Sequence, residues 1–434
     1  MHMLYSLFTT ILLCLLAPFL LPLALWKKKY RLRTLRRLGI GLNHRLQIPD
    51  TGRQQPVIWL HALSVGEVTS ALPLVRGLRR HLPGATLLFS VATRSGLTVA
   101  EELITPHADL VFDGPLDVYW TVRGYIRLLQ PTLFVLVETD FWPGWLSQLH
   151  RRGIPILLVN GRISDRSFDR YRRFSFFFRP MFRCFDLLAM QTRRDAMRLT
   201  GLGIPGQRIM TLGNLKYDTF PATDPSITAR GPERRDLHLP ADGPLWICGS
   251  THEGEEEIIL AVFTRLLQRL PDLCLLIAPR DPDRAGELVD LARRLDLTAA
   301  RRSRPDDAEA AIAILDTIGE LTSCYRLGTV AFVGGSLVNR GGHNPIEPAA
   351  CGIPVLFGPH MEDFAEIAAD LVQCGGALTV SGRDSMTGQL AGLLTDPGRQ
   401  QAMGRAGRAQ VETHRGVVTR HLRVIDDLLQ QRTG

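Results

Sequence analysis

Cysteine is scarce in this 434-residue chain, and none of it is paired in sequence. Cys14, Cys184, Cys248, Cys274, Cys324, Cys351 and Cys374 make an odd count, lie mostly inside apolar runs and form no Cys-x-x-Cys motif. That argues against a disulfide framework or a thiolate zinc site, and for buried free thiols in a reducing compartment. His252, His343 and His360 lack regular metal-ligand spacing, so no metal site is expected. Internal repeats, low-complexity tracts and known nucleic-acid motifs are missing too. Acidic residues are outnumbered, 43 Asp and Glu against 51 Lys and Arg, for a formal net charge of +8. The excess asks for an anionic partner: lipid head groups, a phosphorylated substrate or nucleic acid. The scatter of the basic residues disfavours the last.

Charge is absent altogether from Leu4 to Leu25. Roughly 20 such residues can span a bilayer. Lys27, Lys28, Lys29, Arg31, Arg33, Arg36 and Arg37 follow directly. A signal peptide carries its charges first and ends in a small-residue cleavage site, and neither is seen. The pattern predicts a single N-terminal anchor over residues 1–30, at the inner membrane, with the rest of the chain on the cytoplasmic side. Pro18 and Pro22 leave room for a kinked or shallow insertion, with the basic flank on anionic head groups. A buried core helix is the other reading of this run.

The length predicts two domains. After Pro49, short apolar runs alternate with amphipathic stretches. Strands are expected at Val57–Leu60, Thr86–Val91, Leu133–Val137, Ile154–Val159, Leu187–Met190 and Ile209–Leu212, with a helix over Val68–Arg80. A polar segment from Phe220 to Gly243 predicts a linker over 223–243. Strands resume at Leu245–Cys248, Leu273–Ala278, Ala311–Leu315, Val330–Val333 and Pro354–Phe357. The fold class is therefore α/β: two doubly wound, Rossmann-like domains over 31–222 and 244–405 facing a central cleft, then a basic C-terminal helix over 406–434.

Six stretches carry chemical content. In His61–Glu67 a strand turns into a helix through Ser64 and Gly66. Glu67 falls in the first helical turn, where the macrodipole favours its ionised form, and a carboxylate there can take a proton from an acceptor hydroxyl. The same placement also serves a plain helix start. Glu138 ends a very apolar strand, before Pro143 in the next helical turn; it reads equally as a cap or surface charge. Lys216, in Gly213–Asp218, can neutralise a leaving phosphate or be a solvated loop lysine. Gly249–Glu256 opens a helix; Ser250 and Glu253 have capping-box spacing, and backbone N–H groups there, around Thr251, also suit an anion. In Ala278–Arg284, Arg280 can meet a phosphate or base edge bidentately. Asp281 and Asp283 form an Asp-x-Asp pair, which the flanking arginines disfavour as a metal site. Last, Gly334-Gly335-Ser336-Leu337 and Gly341–Pro348 hold glycines that let backbone approach a ligand, and place Glu347 where ribose hydroxyls could bind it.

This ordered set, with Asp316–Leu321 between its members, resembles the Kdo (3-deoxy-D-manno-octulosonic acid) transferases, glycosyltransferase family 30, of GT-B fold. The resemblance implies a general base at Glu67 and transition-state stabilising residues at Glu138 and Lys216. It implies CMP contacts at Pro279 and Arg280, at Ile318, Gly319 and Glu320, and at Asn344, Pro345, Ile346 and Glu347. Ser64, Gly66, Ser250, Thr251, Ser336 and Gly342 are further candidates. The implied reaction is an inverting, metal-independent transfer of Kdo from CMP-Kdo to a lipid A precursor (lipid IVA), with no nucleic acid and no obligate protein partner. The family pattern is departed from at Asp281, where it has His, and at Asp140, Gly144 and Asp363. Two other functions compete: a GT-B transferase of another nucleotide sugar onto another membrane glycolipid, and a membrane-tethered binder of anionic glycolipid with no catalysis.

Overall fold

The computed structural model describes residues 28–41, 55–219 and 231–433. The expected anchor lies almost wholly outside them. Among the described residues no helix is long and apolar enough to cross a membrane. The chain divides into two compact units, one ending at Thr219 and regaining the chain from Gly416 onward, the other running up to Arg415.

The first unit holds a seven-stranded sheet in the order β3-β2-β1-β4-β5-β6-β7. Its strands are β1 Val57–Ala62, β2 Thr86–Val91, β3 Leu110–Asp113, β4 Leu133–Val137, β5 Ile156–Gly161, β6 Leu187–Met190 and β7 Ile209–Thr211. Every pairing is parallel. Helices cover both faces, so β2, β4 and β5 are buried along their whole length, which is why they read as unbroken apolar runs. Alternate residues feed two cores: Trp59, Phe134 and Leu136 pack with Trp145 and Phe182 on one face, and Ile58, Leu60 and Val135 pack with Leu74, Leu78 and Val417 on the other.

Two details bear on the expected ends of the chain. Part of the basic stretch is a helix, Lys28–Arg37, two of whose arginines bond this unit. Arg33 pairs with Asp113 at 2.6 Å and bonds Ala92 O at 2.7 Å, while Arg37 bonds Gly114 O at 2.8 Å. The expected C-terminal helix over 406–434 is two helices, Pro397–His414 and Val417–Thr433, broken at Arg415-Gly416. The second belongs to the first unit. Asp218 accepts the Gly416 and Val418 N–H groups at 2.9 and 2.7 Å, supplying its N-terminus with acceptors. Its close fit against helix Val65–His81 needs Gly77: a Cβ there would lie 2.6 Å from Val418 Cγ1. Gly77→Ala is therefore expected to lower stability by about 1–3 kcal/mol, measured as a shift of the urea midpoint. An unshifted midpoint would remove this contact from the core.

The second unit repeats the plan in the order β10-β11-β9-β8-β12-β13-β14. Its strands are β8 Leu245–Thr251, β9 Cys274–Pro279, β10 Ala299–Arg301, β11 Ile312–Ile314, β12 Val330–Val333, β13 Val355–Phe357 and β14 Ala377–Thr379, again all parallel. The described end of the expected linker is part of this unit. A 3₁₀ turn at Arg234–Leu237 buries Leu237, and Leu239 after it, in a core with Leu245, Ile247 and Leu276. Apolar residues in an otherwise polar segment give it that place.

Candidate functional site

A doubly wound sheet opens a crevice at the carboxyl ends of its strands where the strand order reverses. In the first unit that point lies between β1 and β4, and in the second between β8 and β12. The candidate residues collect at both.

Beyond β1, Ser64 occupies the N-cap of helix Val65–His81 with extended backbone, but its side chain makes no cap bond. Glu67 turns back instead and accepts the Leu63 N–H at 2.5 Å. Gly66 stays exposed. Glu67 is only 5% exposed. Burial, joined by the carboxylates of Glu138 and Asp140, pushes its pKa up to about 9 against the opposing Leu63 bond. The expected ionised form is thus overturned: a helix terminus contributes about 0.3–1 kcal/mol, less than the desolvation of a carboxylate.

Glu138 follows β4 with φ 59°, and Asn160, near the end of β5, has φ 55°. Left-handed backbone is costly away from glycine, and two such residues on adjacent strand ends mark a site held in place by its surroundings. Asn160 is fully buried. Its Nδ2 donates to Glu138 Oε1 at 3.0 Å, its Oδ1 accepts the Leu215 N–H at 2.9 Å, and its carbonyl accepts Gln191 Nε2 at 2.9 Å. Gln191 in turn accepts Asn214 Nδ2 at 3.0 Å, and Asn214 Oδ1 accepts the Lys216 N–H at 3.0 Å. A chain of amides thus ties Glu138 to the half-buried Lys216. Beneath lies a second polar string: His61, fully buried on Trp145, reaches Asp140 Oδ2 at 3.1 Å and Ser90 Oγ at 2.8 Å.

In the second unit the expected capping box does not form. Helix Glu256–Leu267 starts later, and Ser250 instead takes φ 56° at the end of β8. Glu255 is fully buried and does the organising. Its carboxylate accepts N–H groups from His252 (3.0 Å), Gly335 (2.7 Å), Ser336 (3.0 Å) and Leu337 (2.9 Å). The Gly-Gly-Ser turn after β12 therefore wraps a carboxylate of the protein itself rather than a ligand. Gly334 is required there, since a Cβ would meet Ser250 O at 2.3 Å. Ser336, Thr251 and Ile346 are fully buried, and Gly342 and Pro345 are buried, so these five underlie the site rather than line it.

The remaining candidates do gather. Pro279 ends β9, and the Arg280 side chain is exposed beyond it. Asp281 caps a 3₁₀ turn by accepting the Asp283 N–H at 3.2 Å, which occupies one oxygen of the Asp-x-Asp pair. Glu347 accepts Asn344 Nδ2 at 3.0 Å and Thr322 Oγ1 at 2.7 Å, and burial pushes its carboxyl up against those bonds. Thr322 lies two residues from Glu320, which holds Arg302 at 3.2 Å and the Thr317 hydroxyl. Gly319 has φ 89° and Ile318 is 89% exposed. Asn160, Glu255 and the pairing of His252 with His343 escaped the sequence reading. A polar residue closing an apolar strand, Val159-Asn160, was the one local signal.

Residues 40–219 match the family model described as 3-Deoxy-D-manno-octulosonic-acid transferase (kdotransferase). The 3-deoxy-D-manno-octulosonic acid transferase of Haemophilus influenzae is 34% identical over 433 residues, 98% of this chain and 99% of that protein. That of Chlamydophila psittaci is 31% identical over 82% of this chain and 81% of its own length. The chain belongs to the Kdo transferase family. It is a glycosyltransferase. A solved glycosyltransferase from Rickettsia africae, 11% identical, matches with TM-score 0.55 over 87% of this transferase and 99% of that chain, a likeness of fold alone. The two parallel seven-stranded sheets resemble those of GT-B glycosyltransferases.

Proposed function

We propose that this transferase moves Kdo from CMP-Kdo to the lipid A precursor lipid IVA, with inversion and without a metal, at the cytoplasmic side of the inner membrane. The observation that carries the chemistry is Glu67, a carboxyl held at the sheet's switch point and raised to about 9. Such a group binds a proton firmly once it has one, which suits a base that must take the proton of an attacking hydroxyl. Kdo, and with it the CMP-activated donor, is carried over from the family.

In this reading the acceptor hydroxyl attacks the anomeric carbon as its proton passes to ionised Glu67. The electron pair of the breaking carbon–oxygen bond stays with the phosphate of CMP. Lys216 and nearby N–H groups offset that charge, the role a metal fills in other transferases. Arg280 meets the phosphate, and Glu347 with Asn344 meets the ribose. The apolar Leu4–Leu25 run supports the membrane placement, as do exposed Phe174 and Phe176 between the exposed Arg172, Arg173 and Arg179.

The test is to incubate the full chain with CMP-Kdo and tetraacylated acceptor and to follow the glycolipid product. Transfer by wild type, its loss in Glu67→Ala and a fall of about 10²-fold or more in Lys216→Ala are expected. No transfer by wild type, or undiminished transfer by Glu67→Ala, sinks the proposal. Thermal shift with CMP against UDP separates the reading from a transferase of another nucleotide sugar.

A further inference from the structure

Across the switch point of the second sheet, two loops meet through a pair of imidazoles. His252, after β8, and His343, after β12, place their Nε2 atoms 2.9 Å apart, with rings parallel within 6° and centroids 5.2 Å apart. At that distance one Nε2 carries a proton and donates it, and the other is bare. Burial and the nearby arginines favour the neutral form of both rings, and the neutral pair shares one hydrogen bond. Each ring keeps its Nδ1, one of them bare and able to accept a further proton.

The surroundings are cationic. Arg280, Arg284 and Arg340 act on His252, and Arg280 acts on His343. Arg284 is already paired, with Glu256 at 2.9 Å and Glu287 at 3.4 Å. Arg280 and Arg340 are exposed and have no carboxylate partner among the described residues. Glu255, the carboxylate that acts on His252, is held by four N–H groups. Asp363 lies against Gly341. Two unpaired guanidiniums thus flank an uncharged imidazole pair at the place where such a sheet binds its ligand.

We propose that His252 and His343 form a proton-accepting dyad which, with Arg280 and Arg340, receives the phosphate of the nucleotide and takes up one proton as that phosphate binds. This rests on the reading of the second unit as nucleotide-binding and adds the residues and the proton that hold the phosphate. Burial and the arginines keep both imidazoles deprotonated in the free protein, with His343 pushed down to about 4. A phosphate dianion reverses that field and makes the singly protonated dyad the stable form.

The measurement is calorimetric titration of the full-length protein at pH 7.5 in two buffers of different ionisation enthalpy, with CMP, cytidine and inorganic phosphate as titrants. Wild type is expected to take up about one proton per CMP bound and none with cytidine. His343→Gln and His252→Gln are expected to bind CMP at least tenfold more weakly, with no uptake dependent on the dyad. Uptake with inorganic phosphate alone assigns the site to phosphate itself and supports the dyad. CMP binding by wild type without proton uptake overturns the dyad and leaves the nucleotide reading standing. Uptake unchanged in both variants does the same. Absence of any CMP binding overturns both.

Discussion

Glu67→Gln is expected to make the protein more stable at pH 8 while abolishing its activity. In the unfolded chain Glu67 ionises above about 4.5, whereas in the folded protein it holds its proton up to about 9. Between those values the folded state binds one proton more than the unfolded state, so stability falls as pH rises through that window. Glutamine has the shape of the protonated acid and cannot ionise, so it escapes this loss while still accepting the Leu63 N–H. The gain is expected to be small at pH 4 and to reach about 1–3 kcal/mol at pH 8, part of the ideal linkage being relaxed by local rearrangement. Urea midpoints of both proteins across this pH range measure it. Transfer is expected to fall by about 10²–10⁴-fold, since the base is gone. For wild type, kcat/KM is expected to rise about tenfold per pH unit and to level near pH 9, because it reports the free enzyme. Equal midpoints at pH 4 and pH 8 for the two proteins would refute the buried, protonated Glu67. A flat pH profile with an inactive variant would keep the residue essential but not as the proton acceptor.

The same residue shows how far local sequence carries. Its position after β1, in the first turn of a helix, is legible because an apolar run ending in small residues is a local pattern. Its ionisation is not, because Glu138 and Asp140, which help set it, arrive from β4, more than 70 residues on. The strands divide in the same way. Central strands such as β2, β4 and β12 are buried on both faces and fall at the expected residues. The edge strands β3, β10 and β14 have only three or four residues, too short for a pattern to stand out in the sequence. Gly249–Glu256 reads locally as a strand-to-helix turn with Ser250 at the cap. The acid that matters is Glu255, whose partners Gly335 to Leu337 lie some 80 residues later. His252 and His343, 91 residues apart, have no spacing for a motif to capture. Chemistry at the ends of strands was legible one strand at a time; the bonds between strand ends were not.

Asn160 is the sharpest instance of such a bond, and its replacement is the second change with a large expected effect. Three elements converge on this one buried side chain and its carbonyl: Glu138 from β4, Gln191 after β6, and the Leu215 N–H beside Lys216. Asn160→Ala removes the side-chain donor to Glu138 and the acceptor for Leu215 together. A buried polar group left unsatisfied costs about 1–3 kcal/mol, so a loss of about 2–4 kcal/mol is expected from the denaturant midpoint. Asn160→Asp keeps the size and the acceptor for Leu215 but turns a carboxylate toward Glu138 in place of an N–H. Its expected signature differs: the Leu215 bond is kept, and the loss of stability comes from the donor to Glu138 alone. In both variants kcat is expected to fall by about 10²-fold or more, since a misplacement near 1 Å is enough for that, while the affinity for CMP stays within about twofold because the second unit is untouched. That split separates a positioning role from general unfolding, which lowers the active fraction and leaves the kcat of the remainder unchanged. A fully active Asn160→Asp would show that Glu138 and Lys216 hold their places without the amide between them.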